Sequence, residues 1–415
     1  MTSPSRLLVD SPRPGRGGDV GWHTVHTDST SLSRPAAAWS TGAPVPASGA
    51  WREGDPVGDR QFADLGPLDL EAGGHLPAVR VAYETWGTLS PSRDNAVLVL
   101  HALTGDSHLA GPAAPGHATA GWWDTLVGPG RPIDTDRWFV VAPNVLGGCQ
   151  GTTGPASTAP DGRPWGGRFP YVSVRDQVRT ELALTDALGI PSWALVIGAS
   201  MGGMRVLEWG VMAPDRVRRI APIATTAQST GDQIAWAHTQ LEAIRGDAAW
   251  RGGDYYDVGD GQGPHVGLGV ARQIAHTTYR SAIELDERFG QLAQGGEEPL
   301  GGGGRYAVQS YLDHHAGKLA RRFDANSYLA LTEAICSHDV GRGRGGVDAA
   351  LSRVTAEALV VAVDTDRLYL PAQSERMAAA LPGAAGHHMI RSDFGHDGFL
   401  IEHDQVGSLV SGFLG

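Results

Sequence analysis

The stretch Ala194-Leu-Val-Ile-Gly-Ala-Ser-Met-Gly-Gly203 says most about how this chain folds. Its apolar residues predict a buried strand that ends near Ile197, and the apolar spacing over residues 201–212 predicts a helix. Ser200 then stands at the apex of a sharp strand-to-helix turn, in the pattern Gly-x-Ser-x-Gly. Such a turn exposes the hydroxyl beside free backbone N–H groups, which is the geometry of a nucleophilic serine. Because this short pattern also arises by chance, its meaning depends on partners elsewhere in the chain.

The composition excludes several classes of function. The 415 residues leave room for one large domain with an insertion. The 33 basic and 45 acidic residues give a net charge of −12, which argues against a nucleic-acid partner. The sequence has two cysteines, no apolar run of roughly 18 residues that could cross a membrane, and no apolar core of a secretory signal. We therefore expect a cytoplasmic protein with no nucleic-acid or membrane partner.

Short apolar runs alternate with a helical pattern in the first half of the chain. Strand-like runs cover residues 79–83, 96–102, 138–142 and 217–224, and an amphipathic helix covers residues 174–188. This alternation predicts a mostly parallel sheet with helices on both faces. Residues 1 to about 60 are rich in Ser, Pro, Gly and Ala without periodicity, and we predict that they form a disordered N-terminal extension.

The pattern changes after residue 225. Residues 226–350 show helical segments and Gly-rich loops but no strand-like run, and apolar runs return at 358–363 and 387–391. The simplest interpretation is an α/β fold with an inserted helical cap. The core would comprise residues 61–225 and 351–415, and the cap would cover the carboxyl edge of the sheet.

The partners of the serine should follow late strands, because chemistry in such sheets sits at the carboxyl ends of the strands. Asp364 and Asp366 both follow the run at 358–363, and geometry alone leaves the choice between them open. His396 lies in a Gly-flanked loop after the last run. The order Ser, Asp, His is that of α/β-hydrolases. Ser200 would attack a carbonyl, His396 would serve as general base and then acid, and the carboxylate would orient the imidazole.

A tetrahedral intermediate also needs two N–H donors for its oxyanion. One should come from the residue after the nucleophile, Met201, and the other from the loop after an early strand. That loop is His101-Ala-Leu-Thr-Gly-Asp-Ser-His108, and we expect Leu103 to supply the second N–H. A plain strand-to-loop transition is the alternative explanation for this segment.

The segment Asp313-His-His315 could suggest a metal site. Two adjacent histidines on a helix diverge by about 100°, so they cannot easily share one ion. We therefore expect no metal.

Five segments, in order along the chain, resemble one known family. They are His101-Ala-Leu-Thr-Gly-Asp-Ser-His108, Gly147-Gly-Cys-Gln-Gly-Thr-Thr-Gly-Pro155, Ser200-Met-Gly-Gly-Met204, Arg321-Arg-Phe-Asp-Ala-Asn-Ser-Tyr328 and His396-Asp-Gly-Phe-Leu400. From about residue 62 to the C-terminus, the chain resembles homoserine O-acetyltransferases. These are acyltransferases of methionine biosynthesis with the α/β-hydrolase fold.

The resemblance implies a specific chemistry. It favours Asp366 over Asp364, because the family places its acid in an Asp-x-Leu-Tyr/Phe context. It implies acetyl-coenzyme A as co-substrate with no other cofactor, an acetyl-Ser200 intermediate, and ping-pong transfer to the side-chain hydroxyl of L-homoserine.

The resemblance also implies how the acceptor is held. Arg272 and Tyr279 match an Arg and a Tyr, seven residues apart on a cap helix, that grip the homoserine carboxylate. Asp397 would take the substrate amine. The cap would form the tunnel for the coenzyme A arm and contribute to a homodimer.

Other functions stay open at this point. The family's usual Gly-Gly-Ser-Met-Gly is Gly-Ala-Ser-Met-Gly here, with Ala199 before the nucleophile. Related enzymes with the same triad use a succinyl donor or acylate serine, and a carboxylesterase of the same fold would use water as acceptor. A non-enzymatic binding protein is the third hypothesis, and the intact Ser200, Asp366 and His396 argue against it.

Overall fold

The computed structural model describes residues 43–415, and the part of the predicted extension before residue 43 lies outside them. The strands are, in chain order, β1 (Gln61–Asp69), β2 (His75–Trp86), β3 (Ala96–Leu100), β4 (Val127–Gly128), β5 (Ile133–Asp134), β6 (Phe139–Pro143), β7 (Leu195–Ala199), β8 (Arg219–Ile223), β9 (Glu357–Val363) and β10 (Ala384–Ile390). The helices are α1 (Val174–Ala187), α2 (Met201–Met212), α3 (Gly231–Arg245), α4 (His265–Tyr279), α5 (Ala282–Arg288), α6 (Ala307–Ala320), α7 (Ala325–Cys336), α8 (Val347–Leu351), α9 (Pro371–Ala380), α10 (Gly398–Ile401) and α11 (His403–Leu414).

An eight-stranded sheet forms the centre of the fold, in the order β1-β2-β6-β3-β7-β8-β9-β10. The strands from β6 to β10 pair in parallel, whereas β2 runs antiparallel to both β1 and β6. Successive residues of β3 point to opposite faces, where Leu98 and Leu100 join the cluster with α1 and α2 and Val97 and Val99 join the cluster with α11. Both faces of the sheet are therefore buried at its central strands, which explains why β3, β7 and most of β9 are continuous apolar runs. The predicted α/β architecture is confirmed.

The cap comprises α3 to α7 and lies over the carboxyl ends of the strands. Apolar side chains from α3, α4 and α7 pack in one cluster with Leu103 of the loop after β3 and Met201 at the start of α2. The predicted boundary at residue 350 falls inside α8, whose Ala350 and Leu351 are buried in the core cluster with α2. The chain thus returns to the core before α8, because these apolar residues pack with α2 on one face of the sheet.

Residues 43–60, which we expected to be disordered, pack against the cap in the structure. Ser48 Oγ donates to Asp324 Oδ1 at 2.7 Å, and the Gly49 N–H donates to the Phe323 carbonyl at 3.1 Å. A Cβ at Gly49 would lie 2.4 Å from the Phe323 nitrogen, so the small residue permits the close approach. The composition that indicated disorder therefore serves close packing here. Within residues 43–415, no helix is long and apolar enough to cross a lipid bilayer.

Candidate active site

Ser200 lies between β7 and α2 in a strained backbone conformation, with φ 57° and ψ −124°. Its N–H donates to the Ile223 carbonyl of β8 at 2.9 Å, and its own carbonyl accepts from Thr225 Oγ1 at 2.7 Å. A Cβ at Gly202 would lie only 2.1 Å from the Leu100 carbonyl oxygen, so glycine is needed for this turn to rest on the end of β3. The surrounding packing holds a conformation that non-glycine residues rarely adopt, as expected for a nucleophile elbow.

His396 and Asp366 form a buried hydrogen-bonded pair. His396 Nδ1 donates to Asp366 Oδ2 at 2.7 Å, and their side chains are 4% and 0% exposed. The other oxygen, Asp366 Oδ1, accepts the N–H groups of Leu368 at 2.8 Å and Tyr369 at 2.9 Å. Two backbone N–H groups of the turn after β9 thus fix the orientation of the carboxylate, independently of its bond to the imidazole.

Asp364, the other acid that the sequence left open, is placed elsewhere. Its Oδ1 accepts the Ser392 N–H at 3.0 Å, and its Oδ2 pairs with the exposed Arg391 at 3.3 Å. The structure therefore brings Asp366, and not Asp364, to His396.

Aromatic side chains pack around His396, and one of them also lies beside the serine. The ring centroids of Tyr369 and Phe399 lie 5.2 Å and 5.4 Å from that of the imidazole. Tyr369 also neighbours the Ser200 side chain. That contact alone would lower the pKa of the phenol, but burial outweighs it and raises the pKa. Burial alone would lower the pKa of His396, but the Asp366 carboxylate outweighs it and the pKa rises above its usual value. The imidazole is therefore poised to accept a proton.

The two expected oxyanion donors lie in one buried cluster, because the elbow packs against the end of β3. Leu103 and Met201 belong to the same apolar cluster and are 8% and 0% exposed. His101, which begins the loop before Leu103, donates from Nδ1 to the Ala102 carbonyl at 2.7 Å and accepts the Val145 N–H on Nε2 at 3.1 Å. Burial and then the charge of nearby Arg205 lower the pKa of His101 to about 3, so this imidazole is neutral and structural.

A buried ion pair behind the elbow was not found from the sequence. Arg205 of α2 donates to Glu181 Oε1 at 2.6 Å and to the His101 carbonyl at 2.5 Å. Trp209 Nε1 donates to the second oxygen, Glu181 Oε2, at 2.7 Å. This network ties α1 and α2 to the loop that carries Leu103. The available signal was an arginine within α2, a largely apolar helix whose other charged residue is Glu208.

The three residues expected to hold the acceptor converge beside the triad. The guanidinium carbon of Arg272 lies 5.4 Å from the ring centroid of Tyr279, and that ring lies 5.7 Å from the ring of His396. Arg272 Nη1 also reaches Thr104 Oγ1 at 3.5 Å. Asp397 follows His396 directly, and burial raises the pKa of its carboxyl despite His396 and the nearby Arg272. A cation, a phenol and a carboxylate thus share one small region, where an arginine can bind an anionic group and a carboxylate a cationic one.

Further polar residues of this region were also missed. Arg322 Nη1 donates to the Thr104 carbonyl at 2.9 Å, and burial lowers its pKa. Arg280 reaches Asp397 Oδ2 at 3.2 Å and pairs with Glu284 at 2.9 Å. In the sequence these arginines look like solvated helix residues, and only their burial distinguishes them.

The segment expected not to bind a metal is occupied by other contacts. Asp313 accepts from Gln273 at 2.8 Å, and the ring of His315 packs 4.1 Å from that of His276. A second group lies outside the active site, where potential ligand atoms of four residues approach within 4.8 Å of one another; they belong to Asp59, Glu84, His108 and His117.

Hydrogen bonds engage three of the four imidazole nitrogens of this second group, and the fourth, His117 Nδ1, is buried without a partner among the described residues. His108 Nδ1 donates to Glu84 Oε2 at 3.0 Å, and His108 Nε2 donates to the Pro112 carbonyl at 3.2 Å. His117 Nε2 accepts the Asp59 N–H at 3.0 Å. The group therefore works as a buried network that joins β2 to the loop after β3.

Comparison with known proteins agrees with this geometry. Residues 95–402 match the family described as the α/β hydrolase fold. A homoserine O-acetyltransferase of Thermobifida fusca strain YX is 62% identical over 372 residues, which are 89% of this chain and 98% of that protein. The crystal structure of a homoserine O-acetyltransferase from Bacillus anthracis superposes with a TM-score of 0.78 at 27% identity, covering 86% of this chain and 97% of that chain. The crystal structure of esterase E22 superposes with a TM-score of 0.77 at 27% identity, covering 86% of this chain and 99% of that chain.

Proposed function

This chain belongs to the homoserine O-acetyltransferase family of the α/β-hydrolase fold, and we propose that it transfers the acetyl group of acetyl-coenzyme A to L-homoserine. The products are O-acetyl-L-homoserine and free coenzyme A, which places the reaction in methionine biosynthesis. The observation that best supports this is a buried Asp366–His396 hydrogen bond of 2.7 Å beside the Ser200 elbow, with the Arg272 guanidinium stacked over Tyr279 nearby. Acetyl-coenzyme A is a co-substrate, and the reaction needs no resident cofactor.

The first half-reaction acylates the serine. Ser200 Oγ attacks the thioester carbonyl while His396 takes its proton, and Asp366 stabilises the imidazolium. The N–H groups of Leu103 and Met201 hold the oxyanion. The intermediate collapses to acetyl-Ser200, and the departing coenzyme A thiolate receives the proton from His396.

The second half-reaction transfers the acetyl group to the amino acid. Arg272 binds both carboxylate oxygens of L-homoserine with help from Tyr279, because a guanidinium fork matches a carboxylate. Asp397 binds the ammonium group. The substrate hydroxyl, held near His396, loses its proton to the imidazole and attacks the acetyl carbonyl. The bond to Ser200 Oγ then breaks, the serine oxygen takes the proton back from His396, and O-acetyl-L-homoserine leaves the free enzyme.

Hydrolysis is the second candidate, since the fold is equally close to that of esterase E22. An esterase uses water and needs no residues for a carboxylate and an ammonium group. Here Arg272, Tyr279 and Asp397 occupy the space beside the triad, where they would favour an amino-acid acceptor. We further propose that the protein is cytoplasmic. We also propose that it forms a homodimer through the cap, and sedimentation would test whether it is a dimer.

One assay separates these functions. The protein is incubated with acetyl- or succinyl-coenzyme A, with and without L-homoserine or L-serine, and the free thiol is followed. We expect thiol release that requires acetyl-coenzyme A and accelerates with L-homoserine. Release that ignores both amino acids would reject acyl transfer in favour of hydrolysis. The matched control, Ser200→Ala, should form no acetyl adduct by intact mass.

A further inference from the structure

Residues 279–284 comprise the last residue of α4, the link to α5 and the first turn of α5. They pack directly on the loop that carries His396. We call this segment the cap junction, and we call residues 393–397 the histidine loop. A Cβ at Gly395, where φ is +66°, would lie 2.6 Å from the Tyr279 carbonyl oxygen and 2.7 Å from the Ser281 nitrogen. Ser281 Oγ donates to the Asp393 carbonyl. The two segments are thus in backbone contact.

Arg280 is buried in this contact together with its partner Glu284, with 7% and 6% of their side chains exposed. Its Nε and Nη2 donate to the two carboxylate oxygens of Glu284 at 3.2 Å and 2.9 Å. Its Nη1 donates to Asp397 Oδ2 at 3.2 Å, and the guanidinium carbon lies 4.9 Å from the centre of the Phe394 ring. Glu284 therefore balances the arginine charge and fixes the fork, which leaves one N–H arm aimed at Asp397.

Several charged or titratable groups face Asp397. His396 neighbours it on its own loop, Arg272 and Tyr279 approach from α4, Arg280 from the cap junction and Tyr311 from α6. Burial raises the pKa of Asp397, and the charges of His396, Arg272 and Arg280 oppose that rise. Because Arg272 is assigned to the substrate carboxylate, Arg280 is the cation left to support Asp397.

We infer that Arg280 is a positioning residue for the amino-acid acceptor, holding the Asp397 carboxylate in place to receive the ammonium group of L-homoserine. The inference rests on the proposed function. Arg280 touches neither the acyl group nor the serine, so acylation by acetyl-coenzyme A should not depend on it. Loss of Arg280 should weaken only the step that recognises an amine.

The test compares Arg280→Gln with two further variants. The double variant Arg280→Gln/Glu284→Gln leaves no unpaired carboxylate at position 284, which guards against misfolding. Arg288→Gln is the matched control, because Arg288 also donates to Glu284 Oε1, at 3.2 Å, from a half-exposed position. Each is assayed for the burst of thiol on mixing with acetyl-coenzyme A, and for kcat/KM with L-homoserine and with the amine-free acceptor 4-hydroxybutanoate.

We expect the thiol burst of both Arg280 variants to stay within about twofold of wild type, while KM for L-homoserine rises by about 10- to 100-fold, as for a charge-assisted hydrogen bond. Their kcat/KM for the amine-free acceptor should change by less than about threefold. Arg288→Gln should match wild type in all three readouts.

Two results would overturn the inference: a burst that falls in step with L-homoserine turnover, or an equal loss with the amine-free acceptor. Either would mean that Arg280 only supports the fold. An unchanged KM for L-homoserine in Arg280→Gln would also reject it. Failure of the proposed function looks different, because wild type itself would then release thiol independently of L-homoserine.

Discussion

Replacing Asp366 with asparagine should test the acid–base pair sharply, because the structure dictates how the new amide must sit. Asp366 Oδ1 accepts two N–H groups, from Leu368 at 2.8 Å and from Tyr369 at 2.9 Å. The amide oxygen of Asp366→Asn must occupy that position, since an NH2 group there would meet two donors. The NH2 group is then turned toward His396 Nδ1. The imidazole can accept it only by moving its own proton to Nε2, the nitrogen that must act as base.

The expected cost follows from the loss of the correct tautomer. We expect the rate of Ser200 acylation to fall by about 10³- to 10⁴-fold, which corresponds to about 4–5.5 kcal/mol in the barrier. In the wild type the Asp366 charge raises the pKa of His396, so activity should fall as the pH drops through a value above the usual imidazole range. In the variant, burial still lowers the pKa of His396, but no Asp366 charge opposes it. The residual activity should then persist to lower pH.

Asp364→Asn is the matched control, only two residues away. The Asp364→Asn side chain keeps an oxygen that can accept the Ser392 N–H. It loses the ion pair with Arg391, whose side chain is 79% exposed. Such a pair contributes at most about 1 kcal/mol to stability, and acylation should stay within about twofold of wild type. The assay is the thiol burst with acetyl-coenzyme A, with intact mass to count acetyl-enzyme. Equal losses in both variants, or a full burst in Asp366→Asn, would refute the assignment.

Two further predictions concern the elbow and its support. Gly202→Ala should abolish the thiol burst, because its Cβ would lie 2.1 Å from the Leu100 carbonyl oxygen, whereas Gly231→Ala, with nothing within 4 Å, should leave the burst unchanged. A full burst from Gly202→Ala would disprove the tight packing. Arg205→Met should lower the free energy of unfolding in urea by about 3–5 kcal/mol, since it strands the buried Glu181. A loss below about 1 kcal/mol would show that Glu181 is neutral without it.

Much of the sheet could be predicted because its strands are buried on both faces. The run at residues 96–102 predicted β3, and the apolar spacing predicted α2 with the bounds Met201–Met212 that the structure has. The edge strand β1 was missed, because its residues are largely exposed and Gly66 and Pro67 interrupt the pattern. Apolar patterning reports burial, so elements that bury little leave a weak signal.

The candidate site divides in the same way. Ser200 and His396 could be located because each follows a predicted strand. The choice between Asp364 and Asp366 could not be made from the pattern, since it depends on which carboxylate the turn after β9 directs inward. Arg280 and Glu284, four residues apart, have the spacing of an exposed helix pair. Their burial arises only when the cap junction meets the histidine loop, which are distant in sequence.

That contact bears on how one fold serves both transfer and hydrolysis. Ser200 and the N–H groups proposed to hold the oxyanion lie at the carboxyl ends of β7 and β3, an arrangement that an esterase of this fold also uses. Of the residues proposed to bind the acceptor, Arg272 and Tyr279 come from the cap and Asp397 from the histidine loop. A Cβ at Gly395 would lie 2.6 Å from the Tyr279 carbonyl oxygen. The histidine loop and the acceptor-binding residues therefore cannot shift independently. A backbone shift of the cap junction should therefore also displace His396, whereas a side-chain substitution such as Arg280→Gln leaves this backbone contact in place.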